Sequence, residues 1–210
     1  MIRYLLMMFL FLAPAASAET LLIDDFETGL SPRWEEKVFS GRTRYRVVND
    51  EGNKVLRADS AAAAMGLIFE QEFDPKEWPI LSWRWKIADT IPGGDARTKK
   101  GDDYAARIYV IFPHWFFPKT RSINYIWANR LPKKEMLPNA FTGNAMMLAV
   151  ESGAERRGEW IVERRDIVAD YRRLFGEDPP QAGAIAIMSD TDNTGASATA
   201  WYDDLQLESR

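Results

Sequence analysis

The chain has 210 residues, with 27 Lys and Arg against 31 Asp and Glu, a net charge of −4, one His and no Cys. That balance argues against a non-specific nucleic-acid binder. Without Cys there are no disulfides and no thiol catalysis, and a single His excludes a His-based metal centre.

The N-terminus reads as a cleavable signal peptide over residues 1–18. Arg3 supplies positive charge, Tyr4 to Leu12 an apolar run, and Ala16-Ser17-Ala18 the cleavage signal, so the mature chain is expected to begin at Glu19. A membrane anchor would need roughly 20 apolar residues, and this run ends at Pro14. No later segment is apolar enough to span a bilayer, so the expected location is periplasmic or secreted. Losing Arg3 leaves 26 basic against 31 acidic residues, a charge of −5. No linker or repeat divides residues 19–210, which predicts a single domain.

Strand signals then follow in order: 21–26, 45–48, 54–58, 66–73, 81–87, 103–112, 122–128, 145–151, 159–164, 182–189 and 198–207. Two of them alternate cleanly. In 81–87, Leu81, Trp83, Trp85 and Ile87 share one face, with Ser82, Arg84 and Lys86 opposite. In 103–112, Tyr104, Ala106, Ile108, Val110 and Phe112 lie opposite Asp103, Arg107 and Tyr109. This period predicts an all-β, two-sheet antiparallel sandwich of jelly-roll type with about ten strands. One short helix is expected over 166–175, with Asp166 as its cap, Ile167, Tyr171, Leu174 and Phe175 on one face, and Gly176 at its end.

The chemistry-bearing residues fall into groups. Asp24, Asp25 and Glu27 close the first strand, and Asp203 and Asp204 lie on the last. If those strands pair, the acids meet, and a structural calcium would relieve their repulsion. Asp190, Asp192 and Asn193 form a turn before Gly195 that resembles the start of a calcium loop but lacks its downstream Glu. Arg84, Lys86, Asp103, Arg107, Tyr109, Asn124 and Glu151 are richer in hydrogen-bonding groups than an ordinary solvated sheet face. With Asp190, Asp192 and Asn193 they form the expected ligand cleft, since the Arg fork suits carboxylates and vicinal hydroxyls. Trp83 and Trp85 read as core. Trp34, Trp78, Trp115 and Trp127 lie in or near loops, where an aromatic face can stack on a sugar. His114 sits in an aromatic segment that either packs over the core or forms an exposed contact patch. No G-x-S-x-G setting supports a serine hydrolase.

LSWRWKI at 81–87, PGGDARTKKGDDYAARIYVIF at 92–112, INYIWANRLP at 123–132, GEWIVERRDIVADYRRLFGEDPP at 158–180, AIAIMSDTDNTG at 184–195 and AWYDDL at 200–205 together resemble the bacterial exported family known as domain of unknown function 3047. The resemblance spans nearly all of the mature chain and implies no established activity. Its outline is also similar to jelly-roll carbohydrate-binding and galactose-binding-like domains, which implies a structural calcium near the chain ends.

The leading expectation is a non-catalytic binder of a saccharide or other polar envelope ligand, with no organic cofactor. The alternatives are a carbohydrate-active hydrolase or lyase working through Asp103, Glu151, Arg107 or Tyr109 with Arg84, and a structural envelope protein that binds another protein through 112–118.

Overall fold

A computed structural model of the protein describes residues 18–210. The signal-peptide expectation falls almost wholly on residues 1–17, outside the described residues.

Thirteen strands form two packed sheets. They are β1 (Thr20–Asp24), β2 (Trp34–Ser40), β3 (Arg44–Asp50), β4 (Asn53–Ala61), β5 (Ala64–Phe73), β6 (Ile80–Ile87), β7 (Tyr104–Phe112), β8 (Arg121–Ala128), β9 (Met136–Asn139), β10 (Thr142–Ser152), β11 (Ile161–Asp166), β12 (Ala182–Asp190) and β13 (Ser197–Glu208). A six-stranded sheet runs β11-β6-β13-β4-β3, with β1 also paired to β13. A seven-stranded sheet runs β2-β5-β12-β7-β8-β10-β9. The first and last strands do pair, antiparallel, with Leu21 opposite Leu207.

Two features depart from the expected pattern. β8 and β10 are parallel, with Met147 beside Asn124. The chain leaves β8, turns back as β9 on the far side of β10, and returns as β10, so the β9–β10 hairpin serves as the crossover. The strands with no sequence signal, β2 and β9, are both edges of the seven-stranded sheet. β2 buries only Trp34, and β9 buries none of its four residues. A strand without a buried face has no reason to alternate.

The β-sandwich core follows from the alternation. Trp83 and Trp85 point inward from β6 and meet Tyr125 and Trp127 of β8 across the sandwich. Ring centroids are 5.3 Å apart for Trp83–Tyr125 and 5.9 Å for Trp85–Trp127. All four rings are buried. Trp127, expected near a loop, is therefore core, and so is Trp34, whose ring lies 5.1 Å from Phe69.

The helix α1 (Ile167–Phe175) follows β11 directly. Asp166 accepts the Ala169 N–H at 2.9 Å, and Gly176 closes the helix in the left-handed conformation. Tyr171 packs edge-on against Phe112 at 4.6 Å.

One carboxylate intrudes at the inter-sheet edge. Glu163 of β11 pairs with Trp83, so it shares the inward face. Its Oε1 is buried without a hydrogen-bond partner among the described residues. Burial, opposed by Lys133 and reinforced by Glu151, pushes its pKa up to about 7. Glu151 itself is buried on β10 and held by Lys133 at 2.9 Å and Arg156 at 3.5 Å.

Two outcomes test this architecture. Trp85→Ala should lower unfolding stability by about 3–5 kcal/mol in urea denaturation. Trp115→Ala, at a residue 92% exposed, should stay within about 0.5 kcal/mol of the parent. Because the folded pKa of Glu163 is raised, its protonated form is the one the fold favours. Its contribution is complete below pH 4.5 and is lost as pH rises through about 7. Glu163→Gln should therefore flatten that part of the pH profile and stabilise the protein at pH 8 by on the order of 2 kcal/mol.

Candidate functional site

The polar residues expected to share one cleft are divided between the two outer faces of the sandwich. Arg84 and Lys86 alternate with inward Trp83 and Trp85, so they lie outside the six-stranded sheet. There both of these cations are engaged. Arg84 pairs with Asp203 and, at 2.9 Å, with Asp204. Lys86 binds Asp50 at 2.6 Å, and the Trp160 indole N–H donates to the same carboxylate at 2.8 Å. The Lys86 ammonium also lies 5.0 Å from the Trp160 ring and 4.8 Å from the Trp201 ring. The Lys86 hydrogen bond, against the cost of burial, holds the Asp50 carboxyl below its usual range. Burial and the neighbouring Asp204 instead raise Asp203 to about 6. The expectation missed Trp160 and Trp201, the aromatic residues that line this face.

Arg107, Tyr109 and Asn124 lie outside the seven-stranded sheet. Arg107 and Tyr109 alternate with core Ala106, Ile108 and Val110, and Asn124 sits beside Tyr109 in register. Tyr104 joins them, against expectation. Between the pairs Asp190–Tyr104 and Met188–Arg107, β7 carries one more residue than β12, a bulge that turns Tyr104 to the outer face. Ala96 and Leu131, from two loops, pack with Tyr104, Ile126 and Met147 into a second small apolar cluster that walls this face at one end.

The floor beside that wall is a buried polar network. Arg107, 5% exposed, forms an ion pair with Asp190, 1% exposed. The Arg107 guanidinium lies 4.9 Å from the Tyr104 ring and 5.6 Å from the Tyr109 ring. The Tyr109 hydroxyl and one Arg107 N–H both donate to the Met188 sulfur. Tyr104 donates to Asp102 at 3.1 Å, and Asn139 donates to its other oxygen at 2.7 Å. Burial raises Asp190 to about 8 against the pull of Arg107. Burial also raises the Tyr109 and Tyr104 hydroxyls above their ordinary value, so both remain donors.

Two atoms in this floor stand apart. Arg107 Nε, a donor, and Asn124 Oδ1, an acceptor, are buried with no hydrogen-bond partner among the described residues. Leaving such groups unpaired costs about 1–3 kcal/mol each, so this floor holds two polar groups whose hydrogen-bonding capacity is unused.

The remaining expected residues take other roles. Asp103 is fully buried and accepts from the Thr194 N–H at 2.7 Å, the Thr194 hydroxyl at 2.6 Å, and both N–H groups of Asn193 at 3.1 and 3.2 Å. It caps the 190–195 turn. Asp103 and Glu151 lie at the same end of their sheet, yet they share no hydrogen-bond partner. Glu151 is held by Lys133 and Arg156, so the two carboxylates have separate partners.

The acids of the chain ends also separate. Asp24 is filled by the Phe26 N–H at 2.9 Å and the Trp34 indole N–H at 2.8 Å. Asp25 caps the Glu27 N–H, the Glu27 carboxylate accepts the Lys54 backbone N–H at 3.0 Å, and Asp203 and Asp204 hold Arg84. No three of these five bring their oxygens together. The one triad among the described residues that does is Asp103, Asp190 and Asp192, within 4.8 Å of one another. Arg107 already supplies the positive charge there, and the Asp103 oxygens are filled by N–H and O–H donors.

Solved structures share the fold. The family 30 carbohydrate-binding module of the cellulosomal cellulase Cel9D-Cel44B of Clostridium thermocellum is 10% identical, with a TM-score of 0.55 over 91% of this chain and 98% of that one. A second family 30 module is 9% identical with a TM-score of 0.48 over 91% and 99%. A family 29 carbohydrate-binding module is 9% identical with a TM-score of 0.46 over 92% and 90%. At such identity the first of these establishes a common β-sandwich fold and nothing about a ligand. Among curated proteins no relative matches the chain. Residues 32–206 match the family described as protein of unknown function, DUF3047, and the chain belongs to that family.

Proposed function

We propose that the protein is an exported, non-catalytic binder of a saccharide or other polar envelope ligand, held on the outer face of the seven-stranded sheet. The observation that carries this reading is the unpaired, buried donor–acceptor set of Arg107 Nε and Asn124 Oδ1 beside Tyr109. A sugar hydroxyl is both donor and acceptor, so vicinal hydroxyls can satisfy the two together, and the partly exposed Tyr109 ring offers an apolar surface next to them. The Arg107–Asp190 pair keeps the guanidinium fixed, which limits the ordering cost of binding. Export rests on Arg3, the apolar run 4–12 and Ala16-Ser17-Ala18. No helix among the described residues is long and apolar enough to cross a membrane.

A second reading, a protein partner, is favoured by the loop after β7. Trp115 is 92% and Phe117 82% exposed, a contiguous aromatic tip rather than a lid on the core.

Asn124→Leu separates binding from structure. It removes the unpaired acceptor at nearly constant volume without touching the Arg107–Asp190 pair. Stability should hold or rise, while calorimetric affinity for whichever envelope oligosaccharide binds the parent should fall about tenfold. Unchanged affinity in that variant would overturn the assignment of this face. Export predicts that N-terminal sequencing of the secreted or periplasmic protein starts at Glu19. A start at Met1 or Ile2 in a cytoplasmic fraction would refute it.

A further inference from the structure

The opposite sheet carries a site of different chemistry. Along edge strand β3, on the outer face of the six-stranded sheet, Arg42, Arg44, Arg46 and Arg57 line a groove of about 440 Å³ with Asp59, Ser197 and Thr199. Four guanidinium groups thus face one lining acid, in a chain whose net charge is −4.

Register explains why the charge is not cancelled. Arg46 lies directly opposite Arg57 across β3–β4, a like-charge pairing that a sheet ordinarily disfavours. Asp59 holds both, Arg57 at 2.8 Å and Arg46 at 3.0 Å, and also accepts the Thr199 hydroxyl at 2.9 Å. Arg44 lies directly opposite Asp59, yet that carboxylate is already taken. Arg44 is exposed and forms no ion pair among the described residues. Arg42 is engaged only by Glu36, from β2 of the other sheet.

We propose that this groove is a binding site for an oxyanion, a phosphate or carboxylate group, independent of the polar face on the other sheet. Arg44 supplies the free planar fork. Arg46 and Arg57, held by Asp59, keep N–H groups turned to the same space, and the hydroxyls of Ser197 and Thr199 line its far wall. The volume suits a single acidic group or sugar-sized unit. Affinity depends on ionic strength, because the arginines on the β3 side are solvent-facing.

The test is titration calorimetry on the exported protein at low salt with three probes: inorganic phosphate, a trimer of hexuronic acid and a neutral glucose trimer. Phosphate, hexuronate or both should bind and weaken with salt. Which of the two binds distinguishes a phosphate source from an acidic glycan. The Arg44→Gln/Arg46→Gln double variant should lose at least tenfold in affinity for the anion, and Glu36→Gln, which frees Arg42, should gain. Asn124→Leu should leave anion binding unchanged, so failure on one face is distinguishable from failure on the other. Absence of binding by both anions at millimolar concentration, or an unaltered affinity in the folded double variant, would overturn the proposal.

Discussion

The two outer faces exist as surfaces because four rings lock the inner ones together. Trp83 and Trp85 project from β6 and meet Tyr125 and Trp127 from β8, so the sheets are joined by aromatic contacts at 5.3 and 5.9 Å. Such pairs contribute about 0.5–1.5 kcal/mol beyond the area they bury. With no Cys in the chain, no disulfide assists this packing. It also fixes the direction of every neighbour. Once Trp83 and Trp85 point in, Arg84 and Lys86 must point out, and once Ile108 and Val110 point in, so must Arg107 and Tyr109.

The outer faces then differ in how their charges are met. On the six-stranded sheet, Arg84 and Lys86 pair with Asp203, Asp204 and Asp50 and lie against Trp160. On the seven-stranded sheet, the Arg107–Asp190 pair is deeply buried, and burial raises the Asp190 pKa even with a guanidinium beside it. A buried pair of this kind costs more in desolvation than it returns unless its remaining valences are filled. Arg107 Nε and Asn124 Oδ1 are the valences left over. Along β3 of the six-stranded sheet, Asp59 holds Arg46 and Arg57, Glu36 holds Arg42, and Arg44 forms no ion pair among the described residues.

The acidic pairs of the chain ends are held by donors of the protein itself. Asp24, Asp25, Asp203 and Asp204 suggest a cation site when seen as sequence, and the strands that carry them do pair. In the fold, each finds its own donor: backbone N–H groups, the Trp34 indole or Arg84. A carboxylate can be neutralised by local N–H groups as well as by metal, and a sequence does not show which donors its turns will present.

The sequence by itself determined the parts that depend on local pattern. The two-residue period set which side chains of β6, and of β7 from Ala106 onward, are core, Asp166 and Gly176 set the ends of α1, and the pairing of first and last strands followed from a sandwich. The tertiary structure decided everything that depends on which sheet a strand joins. Alternation says which side of its own strand a residue occupies, but not which sheet that strand belongs to, so Arg84 and Arg107 look equivalent in sequence and lie on opposite outer faces. Edge strands β2 and β9 left no period because no face of theirs is buried. The bulge that turns Tyr104 outward, the parallel run of β8 and β10, and the facing of Arg46 by Arg57 arise from register between distant segments, which only the assembled sheets create.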